Sequence, residues 1–477
     1  MKKIGRFLAN GLMLSAVALL LRTVGVSFNA FLTAKMGAAG TGLYQLVLSI
    51  YSPALTLATA GIHLAVSRLV AEELGKEGGF ARTVLKRCLA YAAVTSSLVS
   101  AILFLLSDVA AKSWLTAPDA TLLLRVLALG LPFIALSSAI NGYFTAVRRV
   151  SRTAFIQLLE QGVRIGLTVL LLTHLWEGGT ATCLLAVVTA SVGADFISCL
   201  LLSLFCHHDA AKSLLPSPQI GENVLPRVLA ITIPVSFSSF LRSGLVALEH
   251  LLIPRGLKQS GFSYEAAMAS YGTLTGMAMP VILFPASFLY SFAGLLIPEL
   301  AEAKENRRIG EIGRMAERVV KTVLVYGIGA AGLLLGFSRE LGLAIYRSEE
   351  AAHYIRVMAP LIPIMYLDTA VDSILKGLGQ QVYTMKINII DAFVSVLAVW
   401  FLVPRLGLNG YIAVIFISEL IKKLAKEKII LVIEHDIDFA LSITNRVAVM
   451  DHGKLVFVGT PEEVRASDVV QHIYKLD

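Results

Sequence analysis

Two arginines lie deep within long apolar stretches of this 477-residue chain, where a charged side chain is costly unless it has a role. Arg22 and Arg242 occur in similar Leu-Arg contexts. A guanidinium group binds phosphate through two parallel hydrogen bonds, so a pair facing one central cavity would suit an anionic substrate. Asn29 and Glu249 follow these arginines by seven residues, which is about two helical turns, and therefore share their helix faces. The alternative is that the arginines make structural contacts between helices.

Further polar residues within the apolar stretches are candidates for the same cavity or for ion coupling. Asn141 and Asp372 are two candidates for cavity lining. Glu160 and Arg164 are spaced i, i+4 on one predicted helix, and the simplest interpretation is that they neutralise one another. Asp391 has no basic residue four positions on, which leaves it open to binding a coupling sodium ion or proton.

We find no motif for catalysis, a cofactor or a metal ion, and we predict that the chain is not an enzyme. The run His207-His208-Asp209 is predicted to lie alone in a loop, which argues against a metal site. The outer loops are too short to hold the carboxylates that a membrane glycosyltransferase or polymerase needs. Four cysteines have neither disulfide nor metal-ligand spacing and are expected to be small apolar residues, namely Cys88, Cys183, Cys199 and Cys206.

The elements that position these residues are long apolar segments. The chain is 56% hydrophobic and only 16% charged, against about 25% charged residues in a typical soluble protein. Each apolar run is roughly 20 residues long, the length of a helix that crosses a bilayer. Backbone polar groups in lipid must bond internally, so we predict an all-α polytopic membrane protein. The net charge of +8 is then explained by basic loops rather than by nucleic-acid binding.

Twelve membrane helices are predicted, over residues 9–33, 42–66, 83–107, 121–147, 153–174, 181–205, 228–253, 266–297, 318–337, 355–377, 383–403 and 408–420. Loops rich in Lys and Arg, such as those with Arg82 and Arg148, alternate with short loops that are poorer in both. The positive-inside rule places the N-terminus and the C-terminal tail in the cytoplasm, in a bacterial inner membrane. The first apolar run has no convincing cleavage site and is interpreted as a retained helix.

The two halves of the helical region match after a shift of about 230 residues. Prolines and charges are rare inside membrane helices, so their agreement is informative. The matched pairs are Arg22 with Arg242, Tyr44 with Tyr271, Pro53 with Pro280, Glu72 with Glu299, Asn141 with Asp372, and Glu160 with Asp391. An even number of helices separates the copies. We therefore predict two pseudo-symmetric six-helix bundles, residues 1–215 and 216–420, related by an axis along the membrane normal.

The second copy is incomplete at its end. Helix 12 has only about thirteen apolar residues before Lys422 and Lys423, too few to cross a bilayer comfortably. We predict a short or tilted helix with these lysines and Lys426 at the cytoplasmic surface. From residue 421 the chain changes character, because residues 429–433 are typical of a buried parallel strand. Residues 421–477 are predicted to form a small, incomplete α/β fragment in the cytoplasm.

Residues 1–420 resemble the MOP superfamily of exporters, which holds the MATE transporters, the polysaccharide flippases and the lipid II flippase. The likeness is carried by GLYQLVLSIYSPALTLATAGIHLAVSRLVAEE in helix 2, LLEQGVRIG in helix 5 and PRLGLNGYIAVIFISEL at helix 12. It implies a two-lobed fold with alternating access, and lipid II or an undecaprenyl-linked sugar as cargo. A drug or small-molecule exporter of the same superfamily is the alternative.

Residues 421–477 resemble the end of an ABC transporter ATPase subunit of the branched-chain amino-acid type, through ILVIEHDIDFALSITNRVAVMDHGKLVFVGTPEEV. The resemblance implies that His435 stands where those ATPases have their switch histidine. The chain contains no G-x-x-x-x-G-K-[ST] loop to hold phosphate, so we predict no productive ATP binding and only a vestigial His435. The tail is then a fragment joined by gene fusion, by rearrangement or by an error of assembly, and a non-functional chimera is a further alternative.

Overall fold

The computed structural model describes residues 2–76, 80–175, 179–213, 224–305, 309–427, 447–451 and 454–467. Nearly all of these residues are helical, and the strands among them form one small hairpin. The predicted all-α polytopic architecture is therefore confirmed. Within the helical part, buried Leu, Val, Ile and Ala side chains from many helices pack into two clusters.

The first half of the chain folds into α1 (Lys2–Thr59), α2 (Ile62–Leu74), α3 (Ala81–Val109), α4 (Ala120–Ala146), α5 (Val150–Leu170) and α6 (Thr180–Ser213). Two predicted membrane helices are joined in α1 at Gly37, whose φ of 71° is a conformation that favours glycine. The second of them ends earlier than predicted, because Gly61, with a φ of 78°, separates α1 from α2. Pro53 lies inside α1 without ending it.

The second half folds into α7 (Val224–Gln259), α8 (Tyr264–Gly272), α9 (Met279–Leu283), α10 (Ala286–Glu305), α11 (Ile309–Gly336), α12 (Ser338–Tyr346), α13 (Glu349–Met358), α14 (Ile362–Gly377), α15 (Gln381–Leu406) and α16 (Leu408–Glu427). The predicted helix 8 is divided by a π-helical turn just before Pro280. The predicted helix 10 is divided near Pro363, at the start of α14. Proline lacks the N–H that continues a helix, so breaks at these positions have a local cause.

Ten segments of the described chain are long and apolar enough to cross a membrane. The first, Leu19–Leu74, has 56 residues, which is more than twice the length that one crossing needs, so it accounts for two predicted helices. The helix α16 is not among the ten, although its 20 residues suffice in length. Charged residues such as Glu419 and Lys422 lower its hydropathy.

The end of α16 shows that the prediction for helix 12 was wrong about where the helix ends and about Lys422, whereas the side chains of Lys423 and Lys426 lie outside those that the structure describes. The helix continues to Glu427, beyond the apolar run. The Lys422 side chain is only 16% exposed, because its ammonium group forms ion pairs with Glu419 and, at 3.9 Å, with Asp391. Opposite charges nearby offset the cost of burying a lysine, so this helix extends past the point where the hydropathy falls.

Two contacts between the predicted halves lie at the start of the second predicted helix and just beyond its end, in α2. In the α1–α8 contact, a Cβ atom added at Gly42 would lie 2.1 Å from the carbonyl oxygen of Met268, so only glycine permits this backbone approach. In the α2–α7 contact, the Arg227 guanidinium group lies 2.9 Å from Glu72 and 3.0 Å from Glu73. The first contact depends on shape and the second on charge.

The described part of the tail is an antiparallel hairpin followed by a short helix. The strand β1 (Val447–Asp451) pairs with β2 (Lys454–Gly459), and the pairing is irregular between Val449 and Met450. The helix α17 (Pro461–Arg465) begins with a capping box in which Thr460 and Glu463 bond to each other's backbone. The predicted strand at 429–433 and His435 lie outside the described residues.

The cluster His207-His208-Asp209, predicted to be a loop, lies within α6. Asp209 is only 3% exposed because three side chains compensate its charge. The Tyr143 hydroxyl group donates to it at 2.9 Å and the Arg152 guanidinium group at 2.6 Å, and Arg149 also pairs with it. This carboxylate therefore joins the corner between α4 and α5 to α6, which is a structural role.

Asp209→Asn is expected to lower the free energy of unfolding by about 1–3 kcal/mol, because it leaves buried donors without their charged partner. The matched control is Asp108→Asn, which removes the exposed pair between Asp108 of α3 and Lys112 in the turn that follows it and should cost less than about 1 kcal/mol. Equilibrium unfolding of the purified protein in mixed detergent micelles measures both values. Equal losses in the two variants would contradict the structural role of Asp209.

Candidate functional site

A cavity of about 420 Å³ lies between α7, α14, α15 and α16. We call it the polar cavity, because seven of its lining side chains are charged; the lining residues are Arg242, Val246, Glu249, Asp368, Thr369, Asp372, Ser373, Lys376, Asn388, Asp391, Ala392, Ser395, Val414, Ile415, Ser418 and Lys422. Charged groups are costly at membrane depth and are usually functional there. The polar cavity is therefore the candidate site.

The polar cavity brings together four of the predicted site residues, namely Arg242, Glu249, Asp372 and Asp391. Arg242 and Glu249 reach it from α7, where a spacing of about two turns places both on one face. Asp372 comes from α14 and Asp391 from α15. No spacing along the chain relates these two helices to α7, so only the folded structure joins them.

The acidic groups of the polar cavity have basic and hydroxyl neighbours. The Lys376 ammonium group lies 3.0 Å from the Asp372 carboxylate, one turn earlier on α14. The Ser418 hydroxyl group donates to Asp391 Oδ1 at 2.8 Å, and Lys422 Nζ lies 3.9 Å from Asp391 Oδ2. The sequence interpretation considered only the helix that carries Asp391 and did not include this lysine, which α16 supplies.

Arg242 differs from the other two cations of the polar cavity. Its side chain is exposed, and it takes part in none of the ion pairs between described residues. Lys376 and Lys422 are both engaged by carboxylates. A guanidinium group that faces a cavity in this way is able to take a phosphate or carboxylate group from a bound molecule.

Glu160 and Arg164 form the predicted ion pair on α5, at 2.8 Å. Arg164 also lies 3.1 Å from Asp195 of α6, a contact that the sequence interpretation missed. A lone carboxylate in the apolar run of α6 was a signal that the rule for intramembrane charges could have detected. The three side chains tie α5 to α6, and Arg164 is only 29% exposed.

The remaining predicted site residues lie away from the polar cavity. Arg22 is exposed on α1 and is not among the lining residues. The Asn29 amide group donates to the Gly276 carbonyl oxygen at 2.6 Å and so joins α1 to the π-helical turn that follows α8. Asn141 Oδ1 is buried on α4 and has no hydrogen-bond partner among the described residues. A cavity shared by Arg22 and Arg242 stays a prediction.

Three further charged residues of the polar cavity were missed, namely Asp368, Lys376 and Lys422. Asp368, Asp372 and Lys376 recur every four positions on α14, so helical spacing could have indicated a common face. No comparable signal existed for Lys422. A lysine just after an apolar run ordinarily lies at the membrane surface, beside the end of the helix.

Comparison with known sequences gives consistent matches. The sequence profile of the family described as polysaccharide biosynthesis protein matches residues 7–304. Stage V sporulation protein B of Bacillus subtilis (strain 168) is 28% identical over 414 residues, which are 85% of this chain and 79% of that protein. Lipid II flippase MurJ of the same organism is 23% identical over 403 residues, which are 78% of this chain and 73% of that protein.

Solved structures match over most of the chain as well. The inward-facing conformation of a multidrug resistance MATE family transporter of the MOP superfamily has a TM-score of 0.67 and 15% identity, covering 86% of this chain and 96% of that chain. A MOP superfamily transporter from Pyrococcus furiosus has a TM-score of 0.62 and 16% identity, covering 87% and 93%. Likenesses at this identity establish a MATE-like fold.

Proposed function

Because the chain belongs to the polysaccharide biosynthesis protein family, we propose that it flips a lipid-linked cell-envelope precursor across the bacterial cytoplasmic membrane by alternating access. At a coarser level it is a multi-pass membrane transporter of the MOP superfamily. The proposed cargo is lipid II or an undecaprenyl-linked polysaccharide, for spore cortex or cell-wall synthesis. The names of two relatives, stage V sporulation protein B and lipid II flippase MurJ, support this choice.

The observation that carries the proposal is the exposed Arg242 in a polar cavity among apolar helices. Lipid-linked precursors hold their sugars on a diphosphate, whose oxygen atoms suit the two parallel donors of a guanidinium group. The cavity volume of about 420 Å³ lies within the range of small-molecule sites. It is large enough for part of a head group, while the lipid chain stays among the membrane lipids.

Alternating access requires the two halves, residues 1–215 and 216–420, to separate at one end while they close at the other. The α1–α8 and α2–α7 contacts are suited to these two tasks. The glycine at position 42 makes the first contact close, and the Arg227 ion pairs make the second one breakable. We place the N-terminus and the tail in the cytoplasm, so the α2–α7 contact lies on the cytoplasmic side in this proposal. It closes the protein toward the cytoplasm when its ion pairs form.

The energy source in this proposal is a coupling sodium ion or proton. Asp391 and Glu249 are the carboxylates best suited to bind it, since both line the polar cavity. Glu160 and Arg164 are assigned to structure, because Arg164 pairs with both Glu160 and Asp195 and so joins α5 to α6. No cofactor and no nucleic acid enter the mechanism.

Reconstituted liposomes test the flippase directly. Purified protein is inserted into vesicles that hold a lipid II analogue with a fluorescent head group, and a membrane-impermeant quencher reports the fraction in the outer leaflet. We expect protein-dependent movement of the analogue, and no movement of a lipid with a neutral fluorescent head group. The proposal would be overturned if the two lipids moved equally. It would also be overturned if folded protein moved neither lipid in a sodium or proton gradient.

An ion-coupled exporter of drugs or small molecules is the second candidate. The fold match to a multidrug resistance MATE family transporter favours it, as do the acidic residues of the polar cavity, which suit a cationic drug. Uptake of a cationic dye into the same vesicles separates the two candidates. Dye transport without lipid movement would support the exporter.

Residues 421–477 are assigned, on their resemblance, to a fragment of an ABC ATPase that lacks the phosphate-binding loop. The purified full chain is therefore expected to hydrolyse ATP no faster than a mock preparation, because nothing holds the phosphates. Phosphate release measured with and without the protein tests this expectation. ATP hydrolysis that co-purifies with the chain through successive columns, and that His435→Ala abolishes, would contradict it. If the folded chain moves neither the lipid II analogue nor the dye, that result would support the alternative of a non-functional chimeric fusion.

A further inference from the structure

The helix α3 carries a continuous stripe of side chains on the face that points away from the buried core. The members follow one another by four residues, which keeps them on one helical face, and they are Arg82, Lys86, Ala90, Val94, Leu98 and Ile102. Arg82 is half-buried and the others are exposed, with Val94 at 69% and Leu98 at 61%. Since α3 belongs to a segment suited to cross the membrane, this apolar face lies against lipid.

The two basic residues of the stripe lie at the level of the lipid head groups. A helix rises about 1.5 Å per residue, so Arg82 and Ile102 lie roughly 30 Å apart along α3. The hydrocarbon core of a bilayer has about this thickness, about 30 Å. With Ile102 at one border of the core, Arg82 therefore reaches the other. Lys86 lies one turn further in, and its long side chain extends to the same surface.

A further cation reaches the same level from the end of α4. The Ser100 hydroxyl group donates to the Ala128 carbonyl oxygen at 2.6 Å, and Arg125 donates to the Ser107 hydroxyl group at 3.1 Å. These bonds show that α3 and α4 run antiparallel, which places the first turn of α3 beside the last turn of α4. Side chains from both turns belong to one buried cluster. The exposed Arg148 follows the last turn of α4 and lies at this level.

We call these cations, with the exposed Arg87, the basic patch; its members are Arg82, Lys86, Arg87 and Arg148. The four side chains take part in none of the ion pairs and hydrogen bonds of the part of the chain that the structure describes. The described carboxylates at this end of the first half are already paired with other cations, Glu72 and Glu73 with Arg227, and Asp209 with Arg149 and Arg152. The basic patch is therefore open to an anion from outside the protein.

We propose that the basic patch binds the head group of an anionic phospholipid, whose acyl chains lie along the apolar stripe of α3. A guanidinium group binds phosphate through two parallel hydrogen bonds, and Arg and Lys at a membrane surface attract anionic lipids. The stripe favours a lipid over free phosphate, because it continues the patch into the hydrocarbon. This surface lies on the lipid-facing side of the first half, away from the polar cavity of α7, α14, α15 and α16. It goes beyond the proposed function and does not depend on the cargo.

Two exposed lysines elsewhere in the chain provide a matched control. Lys112 and Lys321 are each paired with a carboxylate four residues earlier. Lys112→Gln with Lys321→Gln removes two positive charges, as Arg82→Gln with Lys86→Gln does, but from side chains that carboxylates already engage. A general effect of net charge would therefore appear in both double variants, whereas loss of the lipid site would appear only when the basic patch is changed.

Native mass spectrometry of the purified full chain, titrated with phosphatidylglycerol in detergent, tests the proposal. We expect Arg82→Gln with Lys86→Gln to raise the dissociation constant about tenfold or more, because both residues attract the phosphate group. The lysine control should leave it unchanged, and zwitterionic phosphatidylcholine should bind equally weakly to all three proteins. Equal binding of phosphatidylglycerol by the unchanged protein and the patch variant would overturn the proposal. So would glycerol phosphate that binds as tightly as phosphatidylglycerol, since the site would then be one for free phosphate.

Thermal unfolding in mixed micelles gives a second measurement. A lipid that binds only the folded chain raises its stability with concentration. Phosphatidylglycerol should therefore raise the unfolding temperature of the unchanged protein more than phosphatidylcholine does. The excess should shrink in Arg82→Gln with Lys86→Gln, and also at high salt, which screens exposed charges. An undiminished excess in that variant would overturn the proposal. Neither measurement uses lipid-linked cargo, so failure of the flippase assay would leave this inference standing, and the reverse.

Discussion

Arg242→Ala is expected to lower movement of the fluorescent lipid II analogue about 30-fold or more. Its guanidinium group takes part in none of the ion pairs between described residues, whereas Lys376 and Lys422, the other two cations of the polar cavity, are already engaged by carboxylates. Loss of one partner from a desolvated charge pair costs about 2–5 kcal/mol, and each 1.4 kcal/mol corresponds to a tenfold change. The initial rate of quencher-accessible fluorescence measures the effect. Arg242→Lys should recover only part of the rate, because an ammonium group lacks two parallel donors.

Alanine substitutions at two further arginines accompany this experiment, one as a control and one as a test of the shared cavity. Arg405→Ala removes an exposed guanidinium group that stacks on Phe401, away from the lining of the polar cavity, and should leave the rate unchanged. Arg22→Ala tests the prediction of a shared cavity, because a second loss of similar size would support it. Folding is followed by size-exclusion chromatography and thermal unfolding. A full rate in folded Arg242→Ala would remove Arg242 from the cargo site.

Gly42→Ala is expected to open the α1–α8 contact. The added Cβ atom would lie 2.1 Å from the Met268 carbonyl oxygen, against an ordinary contact of about 3.5 Å, and neither backbone is able to yield alone. Overpacking of this kind costs about 1–3 kcal/mol in the closed state only, which corresponds to about a 5- to 150-fold shift in population. Transport should fall because the protein no longer closes at this end.

A cysteine at Thr41 reports this opening. Thr41 is 1% exposed, precedes Gly42 and packs against Gly276 in the π-helical turn that follows α8. Thr41→Cys should react slowly with a water-soluble maleimide, and about tenfold or more faster when Gly42→Ala is added. The control is Gly25→Ala on the same helix, where a Cβ atom meets no atom within 4 Å. Equal labelling rates with the two alanines would show that the contact does not gate access.

The outcome at particular residues shows what could be predicted from the sequence. Arg242 and Glu249 were expected to share a helix face, and both line the polar cavity. Glu160 and Arg164 were expected to pair, and they do so at 2.8 Å. These predictions succeeded because the helical period of 3.6 residues relates positions on one helix without knowledge of its neighbours.

The sequence by itself determined that this protein is a bundle of membrane helices, because hydropathy and the need to bond the backbone internally act segment by segment. It also determined which polar residues lie within those helices. Only the tertiary structure decided which of them meet. Asp391 receives Lys422 from α16, and Arg164 receives Asp195 from α6. Burial of a charge depends on compensation from other helices, which packing decides, so a lysine that hydropathy assigns to the surface lies in the polar cavity.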